Sequence, residues 1–318
     1  MTLKREDFAP LLVMLLGALF VLGDCLYTSK TYYFVDLMAQ FYPWREFLRE
    51  NLLRGILPLW NPYSNFGVPF LASPQVGVFY PPNLLYFFLD YGLALKIEVG
   101  LHFFLGSLFM YLLLKSWGWD PWACLLGGCL YSFCSYTVLR LVFPSMFTAL
   151  PWFPLAWLLL DSALERYSHG KFLLAILIFS IMILAGHPPT MLYVSLFLSL
   201  FALFFHNRKL FSSVAIFGLF LSGATLVALI QVAPVLELLP LSWRTEGVFR
   251  GMSIIGSLHL SNLRSLVFPL FCYNKFGLDP TQSWMHFTPI FISASSHYRS
   301  FFWVFGFATK TGCAGSCC

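Results

Sequence analysis

The chain predicts an all-α, polytopic membrane protein, and three observations carry that prediction. Residues are 59% hydrophobic and only 10% charged, with a mean hydropathy of +0.76, so the solvent of this chain is mostly lipid. Seven windows, residues 9 to 27, 94 to 114, 121 to 139, 146 to 162, 171 to 186, 189 to 205 and 212 to 236, are apolar enough to span. Crossing a hydrocarbon core of about 30 Å takes roughly 17 to 25 such residues. Between Lys30 and Ala94 the apolar pattern gives way to a long loop that carries no charge across residues 58 to 83.

The first window follows Lys4 and Arg5 like a secretory signal. Its far end reads Gly23-Asp24-Cys25-Leu26-Tyr27, without a small-x-small cleavage site, so it is a retained helix. Asp36 then opens the loop. From Asp36 to Arg54, Leu37, Phe41, Trp44, Leu48 and Leu52 recur at helical spacing, while Gln40, Arg45, Glu46, Arg49, Glu50 and Arg54 take the other face. This pattern predicts an amphipathic helix on the outer membrane surface. It starts around Pro43, leaves Asp36 on the approach segment and stops at Gly55.

The stretch PLWNPYSNFGVPFLASPQVGVFYPPN follows. A loop of that length is uncommon unless functional or disordered, and its aromatic content argues against disorder. Residues 237 to 287 form a second polar segment. The first 292 residues therefore read as one membrane domain with outer loops at 30 to 94 and 237 to 287. Residues 293 to 318, rich in Ser, Gly and Cys, read as an atypical tail of a truncated or frame-shifted end. A shorter last span from Phe287 to Phe307 would carry His297 and Arg299 near its middle, which is costly in lipid.

Counting the spans in order puts Lys4, Arg5, Lys115, Arg166, Lys171, Arg208 and Lys209 on one side. The positive-inside bias makes that side, and the N-terminus, cytoplasmic in a multi-pass cell-membrane protein. The net charge of +5 is largely this bias and calls for no nucleic-acid partner. Cys124, Cys129 and Cys134 share one apolar helix at five-residue spacing. Each is turned about 140° from the last, which suits buried packing rather than a common metal site. Cys313, Cys317 and Cys318 crowd the end of the tail and suit metal binding or pairing, but their C-x-x-x-C-C run holds no histidine and is a weak signal, so no metal site is assigned.

The candidate chemistry gathers on the outer face. Asp36, just beyond the first span, can meet both water and a membrane-embedded substrate, as a general base must; the alternative is an N-cap or a solvated interfacial acid. His187, in the Gly186-His187-Pro188-Pro189 turn, can donate from a neutral imidazole or act as a structural turn residue. Gln231 and Glu237 flank Pro234 and suit either a functional role or helix-helix hydrogen bonding. Trp60, Asn61, Tyr63, Asn65, Phe66, Gln75 and Tyr80 mix flat rings with amides, as sugar binding requires, although an aromatic belt accounts for the rings alone. Arg45, Arg140 and Arg244 are the outer cations suited to a lipid-linked phosphate, or to interfacial anchoring. No Walker loop, G-x-G-x-x-G after a strand, H-E-x-x-H or G-x-S-x-G occurs, which removes ATPase, dehydrogenase, zinc protease and α/β-hydrolase classes.

VDLMAQFYPW, followed by GILPLWNPYSNFGVPFLASPQVGVFYPPNLLY, resembles the opening of bacterial YfhO-type membrane proteins. AGHPPTMLY and QVAPVLELLPLSWR resemble two later stretches of that family, so the likeness runs over roughly residues 30 to 275. The resemblance implies a GT-C-like helical bundle and a glycosyltransferase that moves a sugar from a polyprenyl-phosphate donor to a cell-envelope polymer or glycolipid acceptor. In such enzymes an acid in the first outer loop is the base or a metal ligand, and Asp36 holds that position. Asp36 is followed by Leu37-Met38-Ala39-Gln40 rather than by a second acid. A divalent metal is the one cofactor the resemblance allows.

On this reading Asp36 is catalytic. Gln40, Trp60, Asn61, Gln75, His187 and Glu237 bind substrate, and Arg244 with Arg45 stabilises the departing phosphate. The competing expectations are a glycolipid transporter or flippase and a non-catalytic membrane scaffold. The lack of an inverted pair of broken spans speaks against transport.

Overall fold

The computed structural model describes residues 4–32, 34, 36–205 and 210–241. Arg244, most of the 237 to 287 segment and the tail from residue 293 lie outside the described residues. The described residues are mainly helical, with one two-stranded hairpin.

Helix α1 (Phe8–Leu22) is followed by a single 3-10 turn, Gly23–Leu26. A π-turn, Leu37–Phe41, leads into α2 (Tyr42–Leu53). Strands β1 (Trp60–Asn61) and β2 (Val68–Pro69) pair antiparallel, Trp60 opposite Pro69 and Asn61 opposite Val68. After the short α3 (Leu85–Phe88) come α4 (Tyr91–Ser116), α5 (Pro121–Phe133), α6 (Ser135–Arg140), α7 (Pro144–Ala149) and α8 (Trp152–Arg166). The described chain closes with α9 (His169–Leu184), α10 (Pro188–Phe205), α11 (Leu210–Val227) and α12 (Leu229–Leu238).

Three helical runs, Tyr91–Ser116, Pro121–Arg140 and Pro144–Arg166, are long and apolar enough to cross a membrane. The expected span from 212 to 236 is instead broken at Ala228. Its halves, Ser212–Val227 and Leu229–Leu241, meet at 87° and would count together as a fourth. Helices α1, α9 and α10 are apolar but shorter; the 15 residues of α1 rise only about 22 Å.

Chain direction alternates between two ends. Helices α1 and α4 lie antiparallel, because Lys115 at the end of α4 pairs with Asp7 at the start of α1, and Lys96 donates to the Thr28 carbonyl at the opposite end. Trp117 Nε1 donates to Asp161 in α8 at 2.9 Å, on the Asp7 side. Helices α4 and α5 approach closely through small residues: a Cβ on Gly128 would stand 2.6 Å from the Ser107 carbonyl oxygen. Small residues at such a contact let two helix backbones approach closely. Of the three cysteines on that run, Cys124 is buried, Cys129 half-buried and Cys134 exposed at the break between α5 and α6. The packing role therefore fits Cys124 best.

The Asp36 to Arg54 segment departs from expectation in two ways. Helical structure begins at Asp36, because the wide π-turn leaves room for the ring of Pro43 and needs no N–H from it. The apolar stripe is covered by protein rather than lipid: Leu37 and Phe41 pack with α4 residues Leu95 and Val99, and Leu48 packs with Phe70 and Val76 of the long loop. Gly55 ends the helix, with φ +74° and its N–H on the Leu52 carbonyl.

Candidate functional site

The long loop is held onto the bundle by Tyr80, 2% exposed. Its hydroxyl lies 2.6 Å from His102 Nε2, accepts Trp152 Nε1–H at 2.8 Å and stands 3.1 Å from the Thr148 carbonyl. The Glu98 carbonyl, 2.6 Å from His102 Nδ1, can only accept, so Nδ1 carries the proton and Nε2 of the neutral ring accepts from Tyr80. Burial drives the Tyr80 phenol well above its ordinary 10 and keeps it a donor. Tyr86 donates to Glu98 Oε2 at 2.6 Å, and the Arg45 guanidinium lies 5.2 Å from the same ring. Burial first and the Glu98 carboxylate second hold that phenol protonated as well.

Arg45 was assigned to the donor phosphate, and the structure turns it inward instead. It is 6% exposed and donates to the Val76 carbonyl. The loop that covers the apolar stripe of α2 also reaches Arg45, so Arg45 staples loop to helix and has no outward guanidinium for a lipid. Asn61 is corrected in the same way. It is buried, takes the Tyr63 N–H at 2.9 Å and donates to Ser64 Oγ at 3.2 Å, so its amide shapes the hairpin turn. The ring of Trp60 covers Gly67, whose Cβ position would be 2.6 Å from it, and the residue stays exposed. Glu237 is exposed on α12. Its neighbour Gln231 is buried and donates to the Leu71 carbonyl at 2.8 Å, so it ties the broken helix to the loop.

The remaining candidates are joined by successive contacts. Asp36 is half-buried at the helix start; it makes no capping hydrogen bond and has no ion pair or hydrogen bond among the described residues. One turn on, Gln40 donates to Gln75 Oε1 at 3.1 Å. Gln75 and Pro74 lie against Gly186, where an added Cβ would be 1.8 Å from the Pro74 carbonyl oxygen and where φ is +87°. The next residue, His187, opens α10. Its Nδ1 accepts the Thr190 N–H at 3.3 Å and sits 2.7 Å from the Thr190 hydroxyl. A backbone N–H can only donate, so the ring proton is on Nε2 and is available outward. Burial, and then the Arg140 cation, hold the His187 pKa below its usual 6.5, which keeps the ring neutral.

Arg140 stacks over Tyr136 at 5.1 Å and Phe143 at 5.9 Å. Phe143 in turn meets Phe34 edge-on at 5.7 Å, two residues before Asp36. The buried Nε of Arg140 has no hydrogen-bond partner among the described residues, and neither does the hydroxyl of Ser145 in the same turn. An unpaired carboxylate, a neutral imidazole, an amide pair and a partly unpaired guanidinium are thus linked by a chain of contacts. Together they can accept a proton, hold hydroxyls and neutralise an anion. Among the described residues no three His, Cys, Asp or Glu side chains gather as metal ligands.

Sequence reasoning passed over Glu98, His102, Tyr86 and Trp152. The first two carried a signal, since a carboxylate and an imidazole four residues apart in an apolar span are costly unless they are partnered. Comparison with family models, curated proteins and solved structures returns no match to this chain.

Proposed function

We propose that this chain is a membrane glycosyltransferase of the GT-C type, akin to the YfhO-type proteins, with its N-terminus cytoplasmic and its site on the outer face. It uses a polyprenyl-phosphate sugar donor and a cell-envelope polymer or glycolipid acceptor. The observation that carries the reading is the unpartnered Asp36 carboxylate beside the Gln40–Gln75 pair. The acceptor hydroxyl attacks the anomeric carbon, the bond from that carbon to the phosphate oxygen breaks, and the hydroxyl proton passes to Asp36. The lipid phosphate leaves with the bonding electron pair. Arg140, rather than the buried Arg45, is the described outer cation suited to offset that charge, with His187 Nε2–H as a second donor.

Binding of radiolabelled polyprenyl phosphate to the reconstituted chain tests the donor side. Arg140→Gln is expected to weaken binding about tenfold or more, the worth of a charge-assisted contact, while leaving polyprenol binding unchanged. Equal affinity for the phosphate and the alcohol in the wild-type chain would refute the assignment.

The break at Ala228 favours a second reading, since discontinuous helices line many transport pathways. A glycolipid flippase would move labelled lipid between leaflets of a vesicle without forming a new glycosidic bond.

A further inference from the structure

The hairpin and the turn before it present an exposed apolar surface, of which the sugar-transfer reading assigns only Trp60 to substrate. Leu53, Ile56 and Leu59 are 62%, 53% and 62% exposed, and Trp60, Tyr63 and Phe66 reach 55%, 85% and 109%. Phe66 stands in the left-handed region at φ +63°, between Asn65 at +48° and Gly67 at +111°. A bulky side chain rarely adopts that backbone, and here it holds a phenyl ring fully clear of the protein. The tip is braced from beneath: Tyr63 meets Phe47 edge-on at 5.9 Å, and Phe47 meets the buried Phe70 at 4.9 Å.

We infer that this hairpin is a wedge that seats in the lipid headgroup and acyl boundary beside the bundle. Three features choose lipid over a glycan or a second protein surface. No Asp, Glu, Lys or Arg occurs from Gly55 to Leu89, so the tip carries no charge that must stay hydrated. The aliphatic Leu53, Ile56 and Leu59 adjoin the rings, and they offer a sugar no hydrogen bond and no flat face. Cations stand at the base, where anionic headgroups would lie: Arg54 is exposed at the end of α2, and Arg49 is partly exposed one turn earlier, 3.4 Å from Glu46. Trp and Tyr with an apolar body and a polar tip are the residues such a boundary selects. The wedge would fix the loop, and with it Gln75, at a set height above the bilayer. It stands whether or not the chain transfers sugar.

Photocrosslinking in nanodiscs of phosphatidylethanolamine and phosphatidylglycerol tests it, with Phe66→benzoylphenylalanine as the probe. Glu50→benzoylphenylalanine on the charged face of α2 is the water-exposed reference, and Leu196→benzoylphenylalanine, 56% exposed on α10, is the lipid-facing one. Phospholipid adducts at position 66 should match the yield at 196 and exceed that at 50 by about tenfold. A dimer adduct at 66, or no adduct there while 196 captures lipid, overturns the proposal.

Discussion

Replacing Gly186 with alanine should undock the long loop from the turn between α9 and α10, and a second glycine isolates the cause. At Gly186, φ is +87° and the new methyl would stand 1.8 Å from the Pro74 carbonyl oxygen, a backbone atom that cannot swing aside. The left-handed backbone costs a side chain about 1–2 kcal/mol, and forcing atoms into a filled contact adds about 1–3 kcal/mol. Gly55, at φ +74°, has nothing within 4 Å of its Cβ position, so Gly55→Ala carries the backbone cost alone. The two variants should therefore differ by about 1–3 kcal/mol, read as a lower thermal midpoint in detergent for Gly186→Ala. The same variant should expose the 58–83 stretch to protease, because Gln75 is next to the displaced Pro74, and Gly55→Ala should not. Equal midpoints and equal cleavage would refute the claim that the Gly186 contact holds the loop.

Tyr80→Phe removes the acceptor of Trp152 Nε1–H and should destabilise by about 1–3 kcal/mol. Tyr63→Phe, at an 85% exposed ring, should leave the midpoint unchanged. At the other end of the bundle, burial pushes the Asp7 carboxyl up but is outweighed by hydrogen bonds from Lys115, Tyr111 and the Lys4 N–H, which take it from 3.8 to about 2. A depressed folded-state pKa contributes stability that is present above the unfolded value and is lost as pH falls through the folded one. Unfolding midpoints should therefore drop between pH 4 and pH 2 in the wild type, and that drop should shrink in Asp7→Asn.

Local signals in the sequence reached the structure wherever the cause was local. The stop at Gly55 is such a signal, because its positive φ depends only on its own backbone. The stripe from Leu37 to Leu52 told which face is covered, yet not by what. That answer depends on a loop some thirty residues later, since Val76 folds onto Leu48 and takes the Arg45 guanidinium. Period alone leaves Arg45 on the wet face, and only the folded loop removes it. The sequence places the helix start around Pro43, where proline suits a first helical turn, whereas a π-turn accommodates it further in and carries the start back to Asp36. The break at Ala228 carries no proline or glycine of its own, which is why an unbroken span was expected there. Of the candidate site, Asp36 and His187 are legible as polar residues at span ends, and Gln40 and Gln75 as amides in the long outer loop. Tyr80, His102 and Glu98 each carry a signal in the sequence, but the pairing of Tyr80 with His102 does not, because the two lie 22 residues apart on different elements.

The most direct measurement compares the wild-type chain with Asp36→Asn in proteoliposomes supplied with a polyprenyl-phosphate sugar and an acceptor lipid, scoring new glycosidic product and donor binding together. If Asp36 takes the acceptor proton, the asparagine variant keeps donor binding and loses transfer by about a hundredfold or more, the usual contribution of a positioned base. Transfer by Asp36→Asn at the wild-type rate would contradict the account.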